Sequence, residues 1–135
     1  MILIVGGRGQ GKLAFARRLL DGGRPGAGDG FGPEWAADGA ADPMEAAFSR
    51  PVVFNFHLYV RRILEAGESP EIFAGRLCQE NPGVLVIADE IGCGVVPMGA
   101  FERRYRDAAG EVCQYLARES SEVYRVICGI GQKIK

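Results

Sequence analysis

Histidine and tryptophan occur once each in this 135-residue chain, and lysine is scarce beside arginine among the 16 basic residues. A lone histidine, His57, excludes any centre built on several imidazoles, such as a three-histidine zinc site. The four cysteines (Cys78, Cys93, Cys113 and Cys128) are widely spaced and form no C-x-x-C pair. That spacing excludes a zinc ribbon and argues against a disulfide-stapled scaffold. Their mostly apolar or small neighbours predict buried free thiols. Neither sign of charge dominates, because 16 basic residues against 17 acidic ones leave a formal net charge of −1. The chain therefore lacks the footprint of a protein that lives on nucleic acid or on an anionic membrane surface, and neither is expected as a partner. No apolar run approaches the roughly 18 residues that a membrane span needs. Met1 to Val5 has no basic segment ahead of it and runs straight into glycines, so no secretory leader is expected and the protein is expected in the cytoplasm.

What is present is an ordinary globular composition, 47% apolar and 24% charged, with an excess of glycine at 20 residues. The length suits one domain, residues 1–135, with one core. Ile2 to Val5 is a short apolar run stopped by Gly6, the mark of a strand buried on both faces. Leu13, Ala16, Leu19 and Leu20 then recur at helical spacing until Gly22. Residues 21–50 are rich in glycine and proline and read as a long loop with one helical turn near Pro43 to Phe48. Pro51 to Phe56 predicts a second strand, followed by a helix bearing Leu58, Ile63 and Leu64. Ser69, with Pro70 behind it, predicts the capped start of a helix running to about Glu80. Val84 to Ala88 is the clearest strand, with Asp89 and Glu90 at its carboxyl end. Gly92 to Pro97 reads as a loop. Phe101, Tyr105, Ala108, Ala109, Val112 and Leu116 form one apolar stripe on a helix from about Met98 to Glu119. Val123 to Cys128 predicts a fourth strand ahead of a short tail. Alternating strands and helices imply an α/β fold, a parallel sheet with helices on both faces, whose ligands bind beyond the carboxyl ends of the strands.

The loop after the first strand carries the sharpest motif. Gly6, Gly7, Arg8, Gly9, Gln10, Gly11 and Lys12 satisfy G-x-x-x-x-G-K, the pattern of a phosphate-binding P-loop. Glycines let successive backbone N–H groups turn inward on a phosphate, the helix that follows adds its positive end, and the lysine reaches the outer phosphates. One of the chain's few lysines stands at this position. Leu13 occupies the place of the Ser or Thr whose hydroxyl ordinarily holds magnesium. Asp89 or Glu90 is the expected substitute ligand for Mg2+. Gly6 to Leu13 are the expected phosphate-binding residues, with Lys12 and Glu90 expected in catalytic roles.

Beyond the loop, Asp89-Glu90-Ile91-Gly92-Cys93-Gly94-Val95-Val96-Pro97, then Arg103, Arg104, Tyr105, Arg106, Asp107 and Gly110, form a pattern of their own. This block resembles the adenosylcobinamide kinase/adenosylcobinamide-phosphate guanylyltransferase family of cobalamin biosynthesis. Val126 to Gly129, Ile134-Lys135, the Gly6 to Lys12 loop and Val52 to Leu64 are also similar to it. The resemblance implies a nucleotide-binding α/β domain that forms homo-oligomers, often trimers. It implies phosphoryl transfer from ATP or GTP to adenosylcobinamide, followed by GMP transfer through a guanylylated histidine. Family members carry that histidine in a longer segment between the first helix and the second strand. The corresponding stretch here, residues 21–50, has no histidine, and His57 lies in a different segment. Kinase-type transfer is thus the expected activity, with a catalytically inactive nucleotide-binding or interaction module in corrinoid metabolism as the alternative.

His57, at the predicted carboxyl end of the second strand, reads either as a nucleophile or base or as a hydrogen-bonded residue joining strand and helix. Arg103, Arg104 and Arg106 read as a solvated or subunit-contact face, and Asp38, Asp42 and Glu45 as an exposed acidic loop.

Overall fold

The computed structural model describes residues 1–22, 34–92 and 98–135. Its elements run β1 (Ile2–Gly6), α1 (Lys12–Leu20), β2 (Ala36–Asp38), a 3-10 turn (Met44–Phe48), β3 (Val52–Phe54), α2 (Phe56–Glu65), α3 (Pro70–Glu80), β4 (Leu85–Asp89), α4 (Ala100–Glu119), β5 (Glu122–Ile127) and β6 (Ile130–Lys133). The six strands form one sheet in the order β2-β3-β4-β1-β5-β6. All pairings are parallel except β5 with β6, which is antiparallel. The fold is therefore α/β with a mostly parallel sheet, as its strand–helix alternation predicts.

Strand alternation sorts the core into two layers. Leu3, Val53, Val86, Ala88 and Val123 face one side, where α2, α3 and α4 cover them with Tyr59, Ile63, Phe73, Leu77, Tyr105, Val112 and Leu116. Ile4, Val52, Leu85, Ile87 and Val126 face the other side, against Ala16 with Leu13, Phe15 and Leu19 of α1. Helices thus lie on both faces, three against one among the described residues. Because β1 and β4 are buried on both sides they read as unbroken apolar runs, which is why both were legible.

The helices start and stop where local chemistry requires. Ser69 accepts a hydrogen bond from the Ile72 N–H and Pro70 takes the first helical position of α3. Asn81 closes that helix, and its amide donates to the Ala47 and Arg50 carbonyls, fixing α3 against the 3-10 turn. In α4 the apolar stripe is buried from Tyr105 to Leu116, with Phe101 packed at its rim.

The sheet exceeds the four expected strands at both edges. Ala36–Asp38 forms an edge strand inside the stretch predicted as loop, pairing in parallel with β3. Three residues are too few for a period to show, and the pairing with β3 supplies what local pattern does not. The predicted tail forms β6 by folding back on β5. The second strand is shorter than Pro51 to Phe56, since α2 begins at Phe56 behind a left-handed Asn55. The expected acidic loop is structured instead. Asp38 Oδ1 accepts from the Ala40 N–H and the Asn55 amide, and Asp42 Oδ2 accepts from the Asp38 N–H and from Arg50 at 2.8 Å. Glu45 alone of the three is exposed.

The expectation of buried thiols fails at Cys128, which is exposed on the β5–β6 turn, while Cys78 and Cys113 are half-buried. Cys93 and most of the predicted Gly92 to Pro97 loop lie outside the described residues, as does much of the glycine-rich stretch.

Candidate functional site

The carboxyl ends of β1, β3 and β4 open into a cleft of about 1150 Å3, lined by the Gly7 to Leu13 segment on one side and by Asn55, His57, Arg61, Asp89 and Tyr105 on the other. The sheet register brings the key groups together. Gly6 and Asp89 are paired neighbours on β1 and β4, and the Glu90 N–H donates to the Gly6 carbonyl at 3.1 Å. The chain then curls through Gly9 and Gly11, both in the left-handed region with φ of 73° and 81°, before Lys12 starts α1. Among the described residues, the N–H groups of Arg8, Gly9, Gly11 and Lys12 have no acceptor. That is the donor set a phosphate requires at a helix N-terminus.

Lys12 is 7% exposed, although lysine is rarely buried without a partner. Its ammonium lies 2.6 Å from Asp89 Oδ1 and donates to the Gly7 carbonyl at 2.7 Å. The loop is thereby drawn around its own cation.

His57, the second residue of α2, is 8% exposed. Its Nδ1 accepts the Asp89 backbone N–H at 3.1 Å, while Nε2 stands 3.7 Å from Asp89 Oδ2. From α4 the Tyr105 hydroxyl donates to the His57 carbonyl at 2.9 Å. Burial lowers the His57 pKa below its usual 6.5, opposed by the Asp89 charge and reinforced by Lys12 and Arg8. The imidazole is therefore neutral at pH 7. With Nδ1 accepting, its proton sits on Nε2 and neither nitrogen offers a free lone pair to an electrophile. In this arrangement His57 meets Asp89 at both its backbone N–H and its carboxylate. Burial also raises the Tyr105 hydroxyl to about 12, so it stays a neutral donor.

Asp89 is thus the meeting point of α1, α2 and, through His57, α4. Glu90 also lines the cleft, with its Oε1 3.0 Å from Arg125 Nε on β5. The two carboxylates expected to share a cation have separate partners, and among the described residues no group of three or more His, Cys, Asp or Glu is arranged to hold a metal. Leu13 lines the cleft in the first turn of α1 and brings no oxygen.

The arginines after Gly99 divide. Arg103 donates to the Met98 carbonyl, and Arg106 pairs with Asp107 while its stem fills the space beside Gly92. Arg104 lines a separate depression of about 590 Å3 with Glu68, Glu71 and Glu111, remote from the glycine loop. Sequence reasoning missed Tyr105 as a site residue, having assigned it to the core stripe, and missed the Arg61 that bridges Glu65 and Glu102 at the rim. It also missed Asn55, whose φ of 51° turns the chain from β3 into α2. An asparagine at a strand–helix junction was the available signal, since Asn tolerates that conformation better than most residues.

An α/β sheet with a glycine loop and a buried lysine at the carboxyl ends of its strands defines the class of protein. The particular family follows from comparison: residues 64–134 match the profile of the cobinamide kinase / cobinamide phosphate guanyltransferase family, and the chain belongs to it. Among individual relatives, 59 residues are 46% identical to the bifunctional adenosylcobalamin biosynthesis protein CobU of Escherichia coli and equally to that of Salmonella typhimurium. Over 57 residues it is 37% identical to the bifunctional adenosylcobalamin biosynthesis protein CobP of Pseudomonas aeruginosa. These matches cover 43%, 43% and 42% of this chain, and 33% of the length of each relative. The Gly6 to Lys12 loop and His57 precede the residues matched by the family profile.

Proposed function

We propose that the chain binds the phosphates of GTP or ATP on the Gly6 to Leu13 loop and transfers the terminal phosphoryl group to a hydroxyl of adenosylcobinamide. The observation that carries this reading is Lys12, a buried ammonium on a glycine loop, held beside Asp89 at the foot of the cleft. The open N–H groups of Arg8, Gly9, Gly11 and Lys12 fit phosphate oxygens, and Lys12 neutralises their charge where it builds up. Transfer forms a bond from the acceptor oxygen to the terminal phosphorus and breaks the bond to the nucleoside diphosphate. The acceptor's proton passes to water in the open cleft, because Asp89 is already paired with Lys12 at 2.6 Å. Mg2+ supplies charge neutralisation when bound. With Leu13 in the hydroxyl position, Asp89 is the residue beside the loop that would hold it.

Guanylyl transfer through His57 is not part of this proposal, because Nδ1 accepts the Asp89 N–H and Nε2 faces the Asp89 carboxylate at 3.7 Å. Assembly into a homo-oligomer, trimeric by resemblance, belongs to the same reading. No helix among the described residues is long and apolar enough to cross a membrane.

Calorimetric titration with GTP and ATP tests the site. Micromolar binding by the wild-type chain, weakened at least a hundredfold by Lys12→Ala, is the expected result. Absence of binding at millimolar nucleotide overturns it. Transfer of a labelled terminal phosphate to adenosylcobinamide tests the chemistry. Binding without transfer selects the second reading, a non-catalytic nucleotide-binding module, which Leu13 and the closed Lys12–Asp89 pair favour.

A further inference from the structure

The β5–β6 hairpin turns through Cys128 and Gly129, with φ of 50° and 77°. Ile127 pairs with Ile130 on either side, so this is a two-residue turn with the φ signs of type I′. Glycine suits such a turn, and cysteine does not. A non-glycine residue in the left-handed region persists only where its surroundings over-determine it. Here they do. The Cys128 N–H donates to Gln10 Oε1 at 2.7 Å, and the Gly129 N–H donates to the Gln10 carbonyl at 2.9 Å. Arg18 of α1 donates to the Gly129 carbonyl at 2.8 Å. A Cβ on Gly11 would stand 3.2 Å from the Gly129 Cα, so the two backbones meet where side chains are absent.

We infer that this turn braces the phosphate loop and that Gln10 is the positioning residue joining them. The inference rests on the loop being the phosphate site. Its physical basis is entropic. A segment with glycines at 6, 7, 9 and 11 loses much conformational freedom when a ligand orders it. Hydrogen bonds that order it beforehand remove that cost from binding. Gln10 does this from inside the loop with its side chain and its own carbonyl, so both point to the hairpin. The C-terminal hairpin, otherwise a short antiparallel edge on a parallel sheet, thereby acquires a role in ligand affinity.

Three versions of the full chain test this: wild type, Gln10→Met, which matches the length but removes the acceptor, and Gln10→Glu, which keeps it. Amide exchange is read without ligand over residues 7–12 and over β4, and GTP and inorganic triphosphate are titrated by calorimetry. Gln10→Met is expected to speed exchange in the loop far more than in β4, and to lower the melting temperature only by the few degrees that one net hydrogen bond is worth. It is expected to weaken both ligands about five- to tenfold, the equivalent of one net hydrogen bond. Gln10→Glu is expected to retain the loop's protection. Equal exchange in wild type and Gln10→Met overturns the brace, as does equal loss in both variants or an acceleration in β4 as large as that in the loop. If the wild-type chain binds neither ligand, the phosphate reading fails, and the exchange measurements still decide whether the brace exists.

Discussion

The two halves of the chain contribute unlike things to one cleft. The half from residue 64 onward carries the family match and supplies α3, β4, α4 and the β5–β6 hairpin. The first half carries the glycine loop, Lys12 and His57. They meet at Asp89, a residue of the matched half whose carboxylate and N–H contact two residues of the other. The family match therefore includes Asp89 and Tyr105 of the wall facing the loop, whereas Asn55, His57, Arg61 and the loop itself precede it. Leu13 lies in that second territory, where a departure from the usual magnesium ligand leaves the fold intact.

The comparison extends to energetics, because the two halves cover the sheet unequally. Leu116 of α4 is fully buried in the larger layer, whereas Leu19 of α1 is half-buried on the thinner one. Leu116→Ala is expected to cost about 2–4 kcal/mol of stability, from lost burial plus the cavity left behind. Leu19→Ala is expected to cost about 1 kcal/mol, in proportion to its smaller buried area. Denaturant unfolding of both variants measures the difference. Equal losses would mean that the thin face is as well packed as the thick one, and the asymmetry would be gone.

How much of this was legible in the sequence follows the same division. Strands buried on both faces announced themselves as apolar runs, and the α4 stripe and the Ser69–Pro70 start followed from local rules. The two edge strands did not. Ala36–Asp38 is held by its pairing with β3 and by the Asp38–Asn55 bond, and β6 by a turn whose first residue is an unfavourable cysteine. Neither has a signal within its own few residues. In the candidate site, the lysine and glycines stood out in the sequence because G-x-x-x-x-G-K is a fixed order. The partners of His57 and Glu90 were not, because a residue's position at a strand end does not say where its side chain turns.

His57 joins the halves, so altering it probes the junction directly. It is the chain's one histidine, and burial holds its pKa below 6.5 in the folded state. A base whose pKa is lowered on folding adds stability at pH values above 6.5, and this is lost as the pH falls from 6.5 towards the folded value. Denaturant unfolding between pH 8 and pH 5.5 should show wild-type stability declining at the acid end. His57→Asn, whose side-chain oxygen can take the place of Nδ1 opposite the Asp89 N–H, should show a flatter profile there. Parallel profiles would mean that His57 titrates alike in the folded and the unfolded chain, and burial would not be holding its pKa down.

The smallest effect belongs to Cys128, and it carries the opposite sign. A cysteine at φ 50° bears the steric penalty that L-residues meet in the left-handed region, which asparagine reduces by hydrogen bonding locally. Asn followed by glycine is the favoured pair for this turn. Cys128→Asn leaves the backbone N–H in place for Gln10 and removes an exposed thiol that nothing in the core needs. It should raise stability by about 0.5–1 kcal/mol, read as a shift of the unfolding midpoint without a change in slope. A loss of stability would show that the thiol itself makes contacts worth more than the strain. The hairpin would then be held from its own side and not by the loop it touches.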